Sequence, residues 1–198
     1  MYDVAIIGAG ICGAAIAREL SKYKVSTVII EKANDVAMGA TKANSGIVHG
    51  GYAESHNTLK GRMCYQGRRQ FAALDAELHF GFRETGSLVI TFDDDLSLLQ
   101  KILDNGRLNG CDDLEIIGRD RIFELEPNLD PDVRHALYCR GAGVCSPYEM
   151  AIALAENAIA NGAELLLNTE LLAIDRAGDC FELHVQTRRV IDECVEDK

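Results

Sequence analysis

The chain has 198 residues, of which 47% are hydrophobic, and it carries a formal net charge of −11 at pH 7. This length and composition suffice for one large or two small domains with a buried core. The acidic balance argues against binding to nucleic acid or to anionic membrane surfaces, but it does not exclude a small anionic substrate, which responds to local charge.

Cysteine usage and hydropathy narrow the class of protein further. The seven cysteines form an odd set without a C-x-x-C pair, so we predict neither a disulfide framework nor a metal site. No apolar run approaches the ~18–20 residues that span a bilayer, so we predict no transmembrane segment. The first apolar run begins almost at the first residue, and we expect no signal or transit peptide before it. Together these features predict a cytoplasmic protein.

The most specific pattern lies in the first 31 residues. The apolar run Val4–Ile7 predicts a buried strand, and the glycine motif Gly8-x-Gly10-x-x-Gly13 follows it at once and opens a helical periodicity. A second apolar run, Val25–Ile30, predicts another buried strand. Strand, glycine motif, helix and strand in this order are typical of a dinucleotide-binding unit.

Each residue type in this unit has a physical reason. Gly8 permits the tight turn from strand to helix, Gly10 leaves room for a pyrophosphate, and Gly13 lets helix and strand pack closely. The helix N-terminus offers free N–H groups and a partial positive charge to phosphates. Glu31, directly after the second strand, is placed to accept hydrogen bonds from a ribose diol and to repel a 2′-phosphate. The sequence therefore predicts a protein that binds FAD or NAD.

The rest of the chain predicts further helices and short strands, with a loop of small residues at 39–51. The predicted helices are Asn57–Phe80, interrupted by Gly61 and Gly67, then Asp95–Asn109, Arg119–Leu125, and Pro147–Asn161 with Ser146 and Glu149 as a capping box and Gly162 as its stop. The predicted strands are Gly86–Phe92, Leu114–Ile117, Ala136–Cys139, Ala163–Leu167, and an antiparallel pair formed by Leu171–Asp175 and Phe181–Thr187. We expect an α/β fold with a Rossmann-like parallel sheet and an inserted block of mixed α+β structure.

Five segments follow one another in an order that is typical of one enzyme family. They are Asn44-Ser-Gly-Ile-Val-His-Gly-Gly-Tyr52, Thr58-Leu-Lys-Gly61, Glu84-Thr-Gly-Ser-Leu-Val89, Glu124-Leu-Glu-Pro-Asn-Leu129 and Gly143-Val-Cys-Ser-Pro-Tyr-Glu149. In these segments the chain resembles the D-amino-acid-oxidase-type FAD oxidoreductases, and among them the bacterial glycerol-3-phosphate dehydrogenase group. The resemblance extends to about Val185.

The resemblance implies FAD as the cofactor and a discontinuous FAD-binding lobe, residues 1–80 and 141–198, with residues 81–140 as part of a substrate lobe. It also implies a set of cofactor-binding residues at matching positions. These are Gly8, Gly10, Ile11, Cys12 and Gly13 at the pyrophosphate turn, Glu31 and Lys32 at the adenosine ribose, Thr41 at the pyrophosphate, Asn44, Ser45, Gly46, Ile47 and His49 under the isoalloxazine, and Leu171 at the adenine.

The activity that the resemblance implies is hydride transfer from a secondary alcohol carbon to flavin, in the first place from sn-glycerol 3-phosphate. His49 is the candidate catalytic base, because its unperturbed pKa of about 6.5 suits proton transfer; a purely structural His49, a base shared with another group, and a covalent flavin link stay open. Alternative substrates are an L-2-hydroxy acid such as 2-hydroxyglutarate, or an amine. A further alternative is a non-catalytic FAD-binding fragment or subunit that needs a partner chain.

The sequence also departs from this family near Ile191. Family members continue through a last strand of the FAD lobe and a large substrate lobe, so about half of a family member is absent here. We therefore expect the parallel sheet to present an unpaired apolar edge and the 82–140 block to expose a face. We expect the isolated chain to self-associate or to be only marginally stable, with weak or no turnover even when FAD is bound.

Some polar and sulfur-containing residues receive structural interpretations. The basic residues Lys60, Arg62, Arg68 and Arg69 are interpreted as a solvated helix face in preference to an anion site. We expect Asp93–Asp95 to cap the helix that follows. We expect Cys64, Cys139 and Cys145 to be small core or loop residues.

Overall fold

A computed structural model of the chain describes residues 1–188, and the predictions made near Ile191 lie outside the described residues. The helices and strands, in chain order, are β1 (Val4–Ile7), α1 (Ile11–Leu20), β2 (Thr27–Ile30), β3 (Ile47–Val48), α2 (Leu59–Arg68), α3 (Phe71–Leu78), β4 (Arg83–Glu84), β5 (Ser87–Thr91), α4 (Ser97–Leu108), β6 (Leu114–Gly118), α5 (Arg119–Leu125), β7 (His135–Cys139), β8 (Gly143–Val144), α6 (Pro147–Ala160), β9 (Glu164–Leu166), β10 (Thr169–Ala177) and β11 (Cys180–Thr187). Within residues 1–188, no helix combines the length and the apolar character that crossing a bilayer requires.

The chain divides into two compact units. The first comprises Met1–Asn44 together with the described residues from Pro147 onward, and the second comprises Ser45–Ser146. Residues 45–80 thus group with the block at 81–140, because side chains of α4 hydrogen-bond to the backbone at 51–54. The predicted FAD-binding lobe and substrate lobe were defined by the ligands that they bind, whereas these two units are defined by their compactness. The predicted division into lobes therefore stays a prediction.

The first unit is built on a parallel sheet in the order β1-β2-β9. Ile6 of β1 pairs with Ile29 of β2, which pairs in turn with Leu165 of β9. All four residues of β2 are buried, as expected for the middle strand of a parallel sheet. Helices α1 and α6 pack against each other through small residues such as Ala14, Ala17 and Ala151. The predicted α/β fold with a Rossmann-like parallel sheet is confirmed.

Helix α6 begins at Pro147, as the sequence predicts, because proline is preset for the first helical position. Its end is also as predicted. Gly162 has φ +99°, and its N–H and that of Ala163 donate to the carbonyls of Ile159 and Ala158.

The first unit ends in an antiparallel hairpin of β10 and β11, which confirms the predicted pair. Gly178, with φ +66°, lies in the turn, and a β-bulge falls between Leu171 and Ala173. Both strands are longer than the sequence pattern predicts, since pairing runs from Thr169↔Thr187 to Ala177↔Cys180.

The second unit contains an antiparallel sheet in the order β5-β7-β6 with a cluster of apolar side chains on each face. On one face α4 contributes Leu99 and Leu103, which pack against Leu137 of β7. On the other face α5 contributes Ile122, which packs with Val133 and Ala136. The block of short strands and helices predicted for 81–140 is therefore present.

The prediction of one helix over Asn57–Phe80 is wrong. Two helices, α2 and α3, occupy this range, and a turn at 69–70 separates them, with Gln70 N–H donating to Gly67 O at 3.0 Å. The sequence pattern also missed β3, β4 and β8, because strands of two residues carry no detectable alternation.

Candidate functional site

The glycine motif of the first unit forms the turn that its sequence predicts. Gly8 has φ +96°, a conformation that strongly favours glycine. A Cβ on Gly13 would lie 2.0 Å from the carbonyl oxygen of Gly8, so only glycine lets α1 pack this closely against the turn. A Cβ on Gly10 would lie 3.2 Å from the hydroxyl of Thr41. Gly10 is the N-cap of α1 and has no side chain of its own to cap this end, and the first turn of α1 carries no acidic residue. The N-terminus of α1 is therefore suited to an anionic group.

Glu31 holds this turn through its carboxylate. Its two oxygens accept hydrogen bonds from the backbone N–H groups of Ala9 at 2.7 Å and Ala33 at 2.8 Å. Its backbone is fixed as well, because its N–H donates to Leu166 O and its carbonyl accepts from Thr169 N–H. The half-buried carboxylate therefore lies directly beside the glycine turn, where the sequence places a ribose-binding acid.

The loop after Glu31 folds back onto the same turn. Thr41 is buried, and its hydroxyl accepts a hydrogen bond from Ile11 N–H at 3.1 Å. Ala37 has φ 60°, which is unusual for a residue other than glycine, and its N–H donates to Ala9 O at 3.0 Å. Asn44 Nδ2 donates to the carbonyl of Thr41 at 2.6 Å and so closes the end of the loop. The structure thus brings Gly10, Ile11, Glu31 and Thr41 together.

Three further predicted residues lie in the same unit. Cys12, in the first turn of α1, and Lys32, next to Glu31, are both exposed. Leu171 is half-buried in β10, two residues beyond Thr169, whose N–H bonds to Glu31 O. These positions leave Cys12, Lys32 and Leu171 free to contact a ligand, but the structure alone does not assign them one.

The remaining predicted residues, 45–49, begin the second unit. Gly46 has φ 69° and its carbonyl accepts from Cys145 N–H at 2.9 Å. Ile47 and Val48 form β3 and pair with β8, with Ile47 side chain 52% exposed and Val48 buried. Ser45 and His49, on either side of these residues, are exposed.

The basic residues at 60–69 are not one solvated face, which corrects the sequence interpretation. Arg68 is buried and forms a bidentate ion pair with Asp113, at 2.6 and 3.1 Å. Burial alone would raise the pKa of Asp113, but the hydrogen bonds from Arg68 and from Gly141 N–H outweigh it and hold that pKa below its usual value. Lys60 pairs with Glu54 at 2.5 Å. Arg68 is therefore committed to the fold rather than available to a substrate.

The predicted structural role of Cys139 is supported by its surroundings. Cys139 is buried in β7, and burial, with Asp113 nearby, raises the pKa of its thiol to about 11. Burial likewise raises the pKa of Cys111 to about 12. Both thiols stay protonated at neutral pH, which makes them poor nucleophiles.

The second unit also contains a cavity of about 240 Å³ between β5 and the end of α5. Thr85, Ser87 and Tyr138 line it together with leucine and isoleucine residues, and Glu126 is the charged residue among its described lining. The described lining contains no lysine or arginine, so the cavity offers no positive charge to the anionic end of a substrate.

Sequence reasoning missed several groups that build these sites. The N–H groups of Ala9 and Ala33 that orient Glu31 belong to residues without chemical side chains, and no sequence signal identifies them. Asn105 and Asn109 hold the backbone that follows His49, and their spacing of four on one helix, each before a glycine, was an available signal.

Comparison with known proteins identifies the family. The sequence profile of the DAO family, described as FAD dependent oxidoreductase, matches residues 3–195. The chain belongs to this family. The family membership confirms FAD as the cofactor and the α/β fold with a Rossmann-like parallel sheet.

The chain is similar to several named enzymes of known class. It is 45% identical over 177 residues to a glycerol 3-phosphate dehydrogenase of Caloramator mitchellensis, covering 89% of this chain and 37% of that protein. It is 28% identical over 173 residues to a mitochondrial L-2-hydroxyglutarate dehydrogenase of Nematostella vectensis, covering 86% of this chain and 38% of that protein. Among solved structures, L-alpha-glycerophosphate oxidase of Mycoplasma pneumoniae with FAD bound superposes with a TM-score of 0.87 at 25% identity, covering 94% of this chain and 50% of that one. The chain spans about 37–38% of the length of these two sequence relatives.

Proposed function

We propose that this chain binds FAD, with Gly8, Gly10, Ile11, Cys12, Gly13, Glu31, Lys32, Thr41, Asn44 and Leu171 of the first unit and Ser45, Gly46, Ile47 and His49 of the second as its contacts. The observation that carries the proposal is the glycine turn, in which a helix N-terminus without an acidic residue in its first turn lies beside an anchored carboxylate. The helix terminus suits a pyrophosphate and the carboxylate suits a ribose diol. The family of the chain and the FAD in the related oxidase structure support the same assignment.

We propose further that the protein oxidises sn-glycerol 3-phosphate to dihydroxyacetone phosphate. The higher identity to a glycerol 3-phosphate dehydrogenase, 45% against 28% for an L-2-hydroxyglutarate dehydrogenase, supports this substrate. Bound FAD would supply the redox chemistry, taking a hydride from the secondary alcohol carbon. The positive charge for the phosphate must come from outside the cavity beside Glu126, and Arg68 is not available for it.

His49 is the proposed general base that takes the hydroxyl proton of the substrate. It is exposed, and it lies between β3 and a segment held by side chains of α4. An imidazole in this position is accessible to a substrate and is carried by a fixed backbone, as proton transfer requires.

A second candidate is oxidation of an L-2-hydroxy acid, which the L-2-hydroxyglutarate dehydrogenase relatives support. A third is a non-catalytic role, in which the chain holds FAD and a partner chain or further residues complete the substrate pocket. The short coverage of the relatives supports this reading for the 198 residues taken alone. We place the protein in the cytoplasm, because the six cysteines within residues 1–188 are free thiols.

The first test is cofactor binding. The purified chain, reconstituted with FAD, should retain visible flavin absorbance after gel filtration and should not retain NADH. Gly10→Val should abolish retention, because its side chain enters the space at the helix N-terminus where the pyrophosphate is expected. Gly39→Ala is the matched control, since a Cβ at Gly39 meets nothing within 4 Å. Retention of NADH without FAD would contradict the proposal.

The second test is chemistry. Anaerobic glycerol 3-phosphate should bleach the flavin band, and L-2-hydroxyglutarate should not. Bleaching by L-2-hydroxyglutarate alone would favour the second candidate. Retained FAD that neither compound bleaches would favour the non-catalytic reading for these 198 residues.

A further inference from the structure

Helix α4 and its C-cap residue Asn109 provide two asparagines whose side chains hydrogen-bond to the backbone that follows His49. Asn105 Nδ2 donates to the carbonyls of Tyr52 at 2.8 Å and Glu54 at 2.9 Å. Asn105 Oδ1 accepts from His56 N–H at 3.2 Å. One amide group thus satisfies three backbone groups of a single segment, residues 50–56, which we call the clamped segment.

Asn109, one helical turn later, repeats the contact on the same segment. Its Nδ2 donates to the carbonyls of Gly51 at 2.9 Å and Glu54 at 2.8 Å, and the residue is only 7% exposed. Cys111 adds a weaker bond from Sγ to Gly50 O at 3.4 Å. Side chains of α4 and of the residues just after it therefore bind four carbonyls of the clamped segment, those of Gly50, Gly51, Tyr52 and Glu54.

Near its C-terminal end α4 contains a residue that disfavours a helix, which indicates that contact with the clamped segment, not helix stability, explains this residue. Gly106 lies inside the helix, where glycine is a poor helix former. A Cβ on Gly106 would lie 2.8 Å from Tyr52 Cβ and 2.3 Å from Leu114 Cδ1. The glycine therefore allows α4 to approach the clamped segment closely enough for Asn105 and Asn109 to reach it.

Packing alone does not explain Asn109. Within the part of the chain that the structure describes, its buried Oδ1 has no hydrogen-bond partner. A buried carbonyl oxygen without a partner costs stability, whereas an aliphatic side chain of similar size would not. The two donated hydrogen bonds are thus the feature that favours asparagine at this position.

His49 lies between this clamp and a second anchor. On its N-terminal side Val48 pairs with Gly143 in the small sheet of β3 and β8. On its C-terminal side the clamped segment begins at Gly50. We propose that Asn105 and Asn109 are positioning residues for His49: they fix the backbone that sets where its imidazole stands. This inference rests on the proposed function of His49.

The test uses the complete chain with Asn105→Asp, which keeps the shape of the side chain but turns a carboxylate toward two carbonyls. Asn105 is the better target, because it is only half-buried and its replacement is less disruptive than that of Asn109. Gln100→Ala is the control, since Gln100 lies on the same helix and donates to Asp104 at 2.8 Å without touching the clamped segment.

Two readouts are measured, neither of which needs turnover. The first is amide hydrogen exchange of residues 47–56, with the amides of α6 as an internal reference. The second is the NMR signal of the His49 ring, assigned with His49→Asn, before and after addition of FAD. We expect exchange at 47–56 to become about tenfold faster or more in Asn105→Asp, by the loss of two hydrogen bonds, with α6 and the Gln100→Ala protein unchanged. We also expect the FAD-induced shift of the His49 signal to shrink in Asn105→Asp.

The outcomes separate the two claims. Unchanged exchange at 47–56, or acceleration that α6 shares, would overturn the clamp. A His49 signal that responds to FAD equally in the unaltered and Asn105→Asp proteins would overturn the positioning role alone. A His49 signal that ignores FAD in the unaltered chain would overturn the proposed function of His49 and this inference with it.

Discussion

The Glu31 carboxylate stabilises the glycine turn through its own hydrogen bonds to the protein backbone. Its carboxylate accepts hydrogen bonds from the N–H groups of Ala9 and Ala33, so the acid stabilises the turn in addition to its proposed contact with a ribose. Hydrogen bonds to a charged acceptor are worth ~1.5–3 kcal/mol each. Under the proposed function, the same side chain would affect both the conformation of the turn and the affinity for FAD.

We predict that Glu31→Ala weakens FAD binding about tenfold or more, because it removes the ribose contact and releases Ala9 N–H. Fluorescence titration of FAD measures the dissociation constant. Glu19→Ala is the control, since Glu19 is exposed on α1 and pairs with Lys22. An unchanged dissociation constant in Glu31→Ala would mean that the carboxylate is a structural group only.

The Arg68–Asp113 pair is the other residue-scale feature with a large expected effect. We predict that Asp113→Asn lowers the free energy of unfolding by ~3–5 kcal/mol, because it leaves the buried guanidinium without its counter-charge. Urea denaturation measures the change. Glu124→Gln breaks the exposed pair with Arg121 and should cost ~1 kcal/mol or less. Equal effects of the two substitutions would contradict the prediction.

This pair also makes stability depend on pH at the acidic end. The pKa of Asp113 is lowered in the folded state, so its contribution is fully present above the unfolded pKa of about 3.9 and is lost as pH falls through the lower folded value. The Asp113→Asn protein should therefore lose less stability than the unaltered chain when pH is lowered through this range.

At the residue scale, roles that depend on local backbone geometry can be predicted from the sequence, whereas roles that depend on contacts with distant residues cannot. The roles of Gly8 and Gly13 follow from a local turn, and the structure bears out both the positive φ and the close packing. The burial of Arg68 could not be predicted, because its partner Asp113 is 45 residues away and only the tertiary fold brings them together.

At the scale of elements, helix α2 contains two glycines with opposite surroundings. A Cβ on Gly61 would lie 2.2 Å from Ser55 O, a backbone atom that cannot move aside cheaply. A Cβ on Gly67 would meet nothing within 4 Å. The sequence alone treats both as helix-weakening residues, and the structure distinguishes them.

We predict that Gly61→Ala destabilises the chain by ~1–3 kcal/mol through overpacking, whereas Gly67→Ala is neutral or stabilises it by up to ~1 kcal/mol through helix propensity. Thermal denaturation of the two single variants measures the difference. A stabilising Gly61→Ala would show that the contact with Ser55 relaxes without cost.

Elements with a clear local pattern were predicted whatever their length. Helix α5 and strand β1 lie where their apolar patterns place them. The break between α2 and α3 was not predicted, because apolar residues recur at helical spacing on both sides of Gln70. Strand β3 has only two residues and is defined by its pairing with β8, which no local sequence pattern predicts.

At the scale of the whole molecule, β1 is an edge strand of the parallel sheet within residues 1–188, and it has an exposed apolar side chain. Among the described residues β1 pairs with β2 alone, and its Ile7 is 51% exposed. The hairpin of β10 and β11 also exposes Leu172 and Phe181, the latter at 72%. The family's last strand, on whose absence the expected apolar edge depends, falls near Ile191, outside the described residues, so that expectation stays a prediction. An edge strand with free N–H and C=O groups is a template for pairing with another chain.

We predict that the isolated 198-residue chain self-associates at micromolar concentration through the β1 edge. Sedimentation velocity should show species larger than 21.6 kDa, and Ile7→Lys should shift them toward monomer, because a charged side chain opposes pairing at an edge. Ile16→Lys is the matched control: Ile16 is equally exposed, at 52%, but lies on α1, away from any unpaired backbone. If the unaltered chain sediments as a monomer, the edge is protected. If both lysine variants dissociate the oligomer equally, apolar exposure rather than strand pairing drives the association.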